Sequence, residues 1–319
     1  MSRELSKLSK KELLEKCEEL RITKYKSKNK GELIELINNN IKTEVKIVEK
    51  DKICTKKYLK PLIKWSGGKS DEIKIFVNHF PKNYKKYIEP FLGGGAVFFY
   101  LKPENAVVSD VHIELIDLYK SISNGKSKEI YDFMKISPNE EKKYYEIRDD
   151  MEIKDELDRA KRFYYLRKTC FRGMLRYNKK GKFNIPFGRY KTLNYNELIN
   201  KDYENLLSKT DILNKGFEYM FENYNDENNF MFLDPPYDSE FTDYGYCKFG
   251  KEEHKKLAIL FKNTKIKCLI IIGKTKFIEE LYHGYIVSEY DKKYRFKLYD
   301  NRVDDKINTK HLIIKNYIS

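Results

Sequence analysis

The chain has 319 residues, enough for one large core plus a smaller appendage. Its 64 Lys and Arg against 49 Asp and Glu leave a formal charge of +15, which points to an anionic partner, nucleic acid before membrane. The plain alternative is a lysine-rich surface from an AT-rich genome. No run approaches the ~18 consecutive apolar residues of a membrane span, and the opening MSRELSKLSK has no signal-peptide core. An intracellular protein is expected, cytoplasmic or nuclear and not secreted. Cys17, Cys54, Cys170, Cys247 and Cys268 are scattered, with no CxxC pair and no nearby His. That predicts reduced thiols and no metal site.

Two short helices come first. Ser9 followed by Glu12, and Asn29 followed by Glu32, are capping-box pairs, with Leu13, Leu14, Cys17 and Leu20, then Leu33, Ile34, Leu36 and Ile37, at helical spacing behind them. The connector RITKYKSKNK is strongly basic. This helix, basic loop and helix resembles the SAP-type DNA-binding motif; a plain helical hairpin packed on a main domain is the alternative. A charged stretch to Lys57 reads as a linker.

From Tyr58 the pattern becomes α/β. YKKYIEP predicts a strand entering the loop FLGGG, with AVFFYL opening a helix. AVVSD predicts a second strand, NFMFLDPPY a third and KCLIIIG a fourth. GYIVSEY and TKHLIIKN read as late strands that pair antiparallel at an edge. Residues between Asp110 and Asn229 are mainly helical and basic, with few strand signals. The expected fold is α/β, a Rossmann-like doubly wound sheet interrupted by an inserted helical domain. The divisions are 1–42 for the helical module, 43–58 for the linker, 59–122 with 205–319 for the sheet body, and 123–204 for the insert.

Glycines at 93, 94 and 95, between a strand and a helix, let the backbone approach a cofactor at the sheet's carboxyl edge. Asp110 ends the next strand, where a carboxylate commonly meets ribose hydroxyls. Together they indicate an adenosine-containing cofactor without separating NAD from S-adenosylmethionine. Asp234-Pro235-Pro236-Tyr237 follows the apolar FMFL. The first proline biases Asp234 away from helix, so an acceptor carboxylate, a carbonyl and an aromatic ring are grouped as needed to hold a planar base by its amino group.

These residues resemble the Dam-type DNA adenine methyltransferases over nearly all of 62–314. KWSGGKS (64–70), EPFLGGGAVF, SDVHIELIDLY, LRYNKKGKFNIPFGRY (175–190) and DPPY are similar to that family's motifs, in its order. GGKS also looks like the tail of a phosphate-binding loop, but Ile63 stands where that motif needs glycine. The resemblance implies a methyl transfer from S-adenosylmethionine, with no metal, to N6 of an adenine flipped out of duplex DNA. It assigns Trp65, Lys69, Phe91, Gly93, Gly95, Asp110 and Asp234 to the cofactor, and Asp234, Pro235, Pro236 and Tyr237 to catalysis. Lys64, Phe171, Met174, Arg176, Asn178 and Arg189 fall to DNA, with Arg176 and Arg189 as base readers and Phe171 and Met174 as wedges; core packing is the alternative for the last two. The retained RYN makes GATC the expected site.

The family implies double-stranded DNA as partner and admits a cognate restriction endonuclease. Two departures stand out: Ile272-Gly273 where the family commonly has Ser-Asn, and the loosely similar KLYDNRVDDK. Rival readings are a non-catalytic DNA-binding or chromatin-type protein on an inert methyltransferase body, and an RNA methyltransferase. The intact DPPY and the segment around Arg176 argue against them.

Overall fold

The computed structural model describes residues 8–19, 25, 28–37, 58–238, 249–294 and 307–318. The chain divides into two compact units, Met1–Lys57 and Tyr58–Ser319.

In the first unit, helix Lys10–Glu19 is followed by a second helix over residues 30–37. Both carry the expected reciprocal caps. Glu12 takes the Ser9 N–H at 2.6 Å while Ser9 Oγ accepts from Glu12 N at 3.3 Å. Glu32 takes the Asn29 N–H at 2.8 Å while Asn29 Oδ1 accepts from Glu32 N at 3.0 Å. Leu13, Cys17, Leu33 and Ile37 form a small buried core between the helices. Leu20 and most of the basic connector lie outside the described residues, as does the linker.

The second unit is built on a seven-stranded sheet: β1 Tyr87–Glu89, β2 Ala106–Ser109, β3 Thr210–Leu213, β4 Phe230–Leu233, β5 Lys267–Gly273, β6 Ile286–Tyr294 and β7 Ile307–Lys315. Their order is β3-β2-β1-β4-β5-β7-β6. The neighbours from β3 to β5 pair in parallel; β7 runs antiparallel to both β5 and β6. β1, β2 and β4 are buried along their whole length, which is why β4 is an unbroken apolar run and β1 and β2 are apolar until their last residues, Glu89 and Ser109. Alternate residues feed two cores. Tyr87, Val108, Phe232 and Ile271 face one; Ile88, Val107, Leu233 and Ile270 face the other. Residues from 123–204, among them Ile130, Tyr144, Phe163 and Ile185, join the first of these.

The sheet is thus the Rossmann-like α/β fold that the sequence predicts, with one strand more than expected. Thr210–Leu213 pairs with β2 at the sheet edge, in register Val108 to Ile212. It is four residues long with only Thr210 and Ile212 buried, so it carries too little apolar signal to register among the surrounding helices. Because the central strands are parallel, the residues ending β1, β2 and β4 are delivered to one edge of the sheet.

Candidate active site

Three buried or nearly buried carboxylates meet at that edge: Glu89, closing β1, Asp110, just after β2, and Asp234, just after β4. The turn leaving β1 takes Gly93 and Gly95 through φ of 49° and 70°. A Cβ on Gly93 would lie 2.7 Å from the Trp65 indole, so only glycine lets the ring lie against this backbone. Asp110 fixes the turn: its Oδ2 accepts from Gly93 N and its Oδ1 from His112 N, both at 2.9 Å. Phe91 stacks on Phe217 with centroids 5.6 Å apart and meets Phe249 edge-on at 5.5 Å.

Lys69 joins the loop KWSGGK to the DPPY segment. Its Nζ donates to Asp234 Oδ1 at 2.6 Å and to the Gly67 carbonyl at 2.7 Å. The same ammonium sits 5.0 Å from the centroid of the Tyr237 ring, within reach for a cation–π contact. His311 meets that ring edge-on at 5.2 Å, and Gly273 lies against it, where a Cβ would come to 3.4 Å from Cδ2. Glu72 is the hidden member. Within the turn that follows Lys69, it binds His311 Nδ1 (2.7 Å), the Tyr290 hydroxyl (2.8 Å) and Lys292 Nζ (2.6 Å). Those partners come from β6 and β7, so Glu72 pins the KWSGGK turn to the far side of the sheet edge.

The charges follow from this geometry. Burial drives Glu89 up to about 8, against the Tyr87 hydrogen bond and assisted by the charges of Asp234 and Asp110. Burial also raises Asp110 to about 6, although backbone N–H groups hold its charged form. Asp234 is raised by burial and pulled back by Lys69. Glu72 goes the other way, to about 2, because His311, Lys69 and Lys292 outweigh its burial. Burial, with the Arg167 charge, lowers His112 to about 3, so its ring is neutral.

Of the expected DNA-facing residues, Phe171, Met174, Arg176, Asn178 and Arg189 lie on a separate segment, while Lys64 opens the KWSGGK loop itself. Phe171 and Met174 are 42% and 41% exposed, which sets aside core packing for both. Helix Glu156–Thr169 supports them through buried Arg167, which donates to the carbonyls of Met174 (2.5 Å) and Lys64 and stacks over Trp65. Lys64 is exposed, its ammonium 5.8 Å from the Tyr190 ring centroid. Beyond them a hairpin pairs Tyr177 with Phe183. Arg176 is exposed and lies across the hairpin, its Nε donating to Asn184 Oδ1 at 2.8 Å. Asn178 shapes the turn, its Oδ1 accepting from Lys180 N and Lys182 N at 2.9 and 3.0 Å. Arg189 is exposed, with φ of 53°, and is paired with Glu141 at 3.1 Å. A cavity of about 910 Å³ opens beside Trp65, with Lys60, Lys64, Lys168 and Arg172 in its wall.

Sequence reasoning passed over Glu72, Glu89, His112, Arg167, Tyr177 and His311. Glu89 was within reach, since it stands immediately before the proline of the glycine-rich loop. His112 and Tyr177 lie inside the quoted SDVHIELIDLY and LRYN segments, but their pairing, like the contacts of Glu72, Arg167 and His311, has no local signal.

Comparison with known proteins adds the family context. Residues 65–298 match the model for D12 class N6 adenine-specific DNA methyltransferases. Type II methyltransferase M.CviBI of Paramecium bursaria Chlorella virus NC1A is 62% identical over 261 residues, covering 81% of this chain and 100% of that protein. Type II methyltransferase M.MjaIII of Methanocaldococcus jannaschii is 33% identical, covering 81% and 99%. The DNA adenine methylase of Haemophilus influenzae is 33% identical, covering 70% and 83%.

Proposed function

Because this chain belongs to the D12 class N6 adenine-specific DNA methyltransferases, we propose that it methylates N6 of an adenine flipped out of duplex DNA, within a GATC site, using S-adenosylmethionine. The observation that carries the reading is the convergence of Lys69, Asp234 and Tyr237 beside the Gly93–Asp110 turn.

The residues present fit that cofactor. Backbone N–H groups take part of the acceptor capacity of the Asp110 carboxylate, and the remainder suits the hydroxyls of a ribose. Gly93 and Trp65 form a narrow wall, and Phe91 an apolar one. Asp234 is paired with Lys69 and Glu89 is held largely protonated at neutral pH, so Asp110 carries the negative charge that suits a cationic ligand. Lys69 spends two of its protons on Asp234 and Gly67 and has a third for a carboxylate. When bound, S-adenosylmethionine supplies an electrophilic methyl group on a sulfonium.

The chain's own part is to orient the base. Lys69 holds Asp234 Oδ1, which leaves Oδ2 to accept one amino hydrogen of adenine, with the Pro235 carbonyl for the other. Both bonds draw the nitrogen lone pair out of the ring and aim it outward. Tyr237, backed by Lys69 and His311, is the stacking platform. On the DNA side, Arg176 reads a base edge, Phe171 and Met174 enter the duplex, and Lys64, Asn178 and Arg189 contact the strands. We assign target recognition to 123–204 and a SAP-like phosphate grip to the N-terminal unit. A cognate endonuclease is the partner this reading allows.

The test is incubation with methyl-labelled S-adenosylmethionine and duplex DNA, followed by mapping of modified adenines. Label on adenine N6 in GATC is expected, and Asp234→Ala should lower turnover at least about 100-fold. Near-wild-type turnover in that variant would end the mechanism.

A further inference from the structure

His112 stands at a junction that the chemistry itself does not require. Its N–H donates to Asp110 Oδ1, and its ring meets the Trp65 indole edge-on at 5.6 Å. Its Nδ1 accepts the Leu115 N–H at 3.2 Å, capping helix Ile113–Ser123. With Nδ1 an acceptor, the neutral ring carries its proton on Nε2. Nε2 lies 2.8 Å from the Tyr177 hydroxyl, which accepts that proton's hydrogen bond and donates its own to Glu114 Oε2. The other Glu114 oxygen receives Arg162 at 3.2 Å. Every member of this chain is thus committed to one arrangement.

Tyr177 is the neighbour of Arg176 and pairs with Phe183 in the recognition hairpin. The hairpin's return strand is held elsewhere, through the Ile185 carbonyl bound by Tyr144 and Arg148. The outgoing strand, which carries Arg176, is tied by Tyr177 toward the cofactor carboxylate.

We propose that the His112–Tyr177 hydrogen bond is a strut through which the occupied cofactor pocket sets the position of Arg176, making Tyr177 a specificity-determining positioning residue. The inference rests on the methyltransferase reading above. A ligand bearing on Asp110 or Trp65 restrains His112, and His112 in turn restrains the strand beside the base reader. Binding linkage then requires cofactor and cognate DNA to strengthen each other reciprocally.

Two full-length variants test this. Tyr177→Phe removes the hydroxyl. His112→Asn keeps a cap acceptor for the Leu115 N–H but is too short to reach Tyr177. Duplex affinity is measured with and without S-adenosylhomocysteine, on the sequence methylated in the labelling experiment and on the same duplex with one base pair changed. In the wild type, S-adenosylhomocysteine should tighten the cognate duplex at least about fivefold more than the altered one. In both variants that difference should fall to within about twofold, while S-adenosylhomocysteine binds the DNA-free Tyr177→Phe protein as in the wild type. The proposal is overturned if the wild type shows no such difference or the variants retain it. It is also overturned if the variants lose affinity for both duplexes alike with or without ligand, which is the mark of a merely loosened hairpin. Failure of the wild type to bind S-adenosylhomocysteine or transfer methyl would instead sink the methyltransferase reading itself.

Discussion

Glu89 is 2% exposed at the end of β1, with its carboxylate on the Tyr87 hydroxyl at 2.7 Å and two further carboxylates nearby. Its charged form is therefore disfavoured in the native state, and its pKa stands near 8 against an ordinary 4.5. A raised acid stabilises the fold while protonated, so the contribution is whole below about pH 4.5 and is lost as pH rises through about 8. Glu89→Gln keeps the shape and cannot ionise. Its melting temperature should match the wild type near pH 5 and exceed it increasingly towards pH 8.5, by about 1–3 kcal/mol in stability. Parallel melting curves across that range would show that Glu89 ionises freely. Glu72 has the opposite sign: held near 2, it lends stability above about pH 4.5 that disappears as pH falls through about 2. The two carboxylates divide the site into a half that tolerates no more negative charge and a half locked by cations.

At the scale of elements, the Tyr177–Phe183 hairpin, proposed above to read DNA, depends on close backbone contact at its base. Gly188 donates its N–H to the Thr169 carbonyl at 2.8 Å. A Cβ there would lie 2.6 Å from the Cys170 carbonyl oxygen and 2.7 Å from that of Thr169. Neither is the end of a flexible side chain, so Gly188→Ala must push the hairpin off helix Glu156–Thr169. A cost of about 1–3 kcal/mol is expected, with loss of discrimination between cognate and altered duplexes. Unchanged melting and discrimination would mean the base of the hairpin yields freely. The same elements explain what could be read from sequence. β2, β4 and β5 announce themselves by their apolar residues and β1 by leading into the glycine turn, and that turn and Asp-Pro-Pro-Tyr are legible because each packs its chemistry into a few consecutive residues. β3 escapes because it is a short edge strand. Glu72 and His311 escape because their bond joins positions 239 apart, and Tyr177 because its partner stands 65 residues away. Long-range polar pairs leave no periodicity and no spacing, so only the folded chain reveals them.

For the whole molecule, the question is how a net charge of +15 is shared between affinity and specificity. Residues 1–57 hold 16 Lys and Arg against 10 Asp and Glu, and the stretch 21–30 holds five cations and no anion. Such a segment suits phosphates, which supply affinity without sequence information, whereas Arg176 stands exposed on the hairpin where a base edge can be met. The first unit has its own small core and its own caps, and the sheet with all its strands lies in Tyr58–Ser319. Removing residues 1–57 should therefore leave melting of the main unit and turnover at saturating DNA intact. Binding to cognate and random duplexes should weaken alike, and the log–log salt dependence should flatten by about 0.9 for each phosphate that the truncated protein no longer neutralises. Arg176→Ala should do the reverse, costing about 1–3 kcal/mol on the cognate duplex and little on a random one. Titrations of both proteins at several salt concentrations separate the two contributions. If the truncation shifts which sequence is methylated, or leaves the salt slope unchanged, the N-terminal unit is not a general phosphate grip, and the basic surface that matters lies wholly on the main unit.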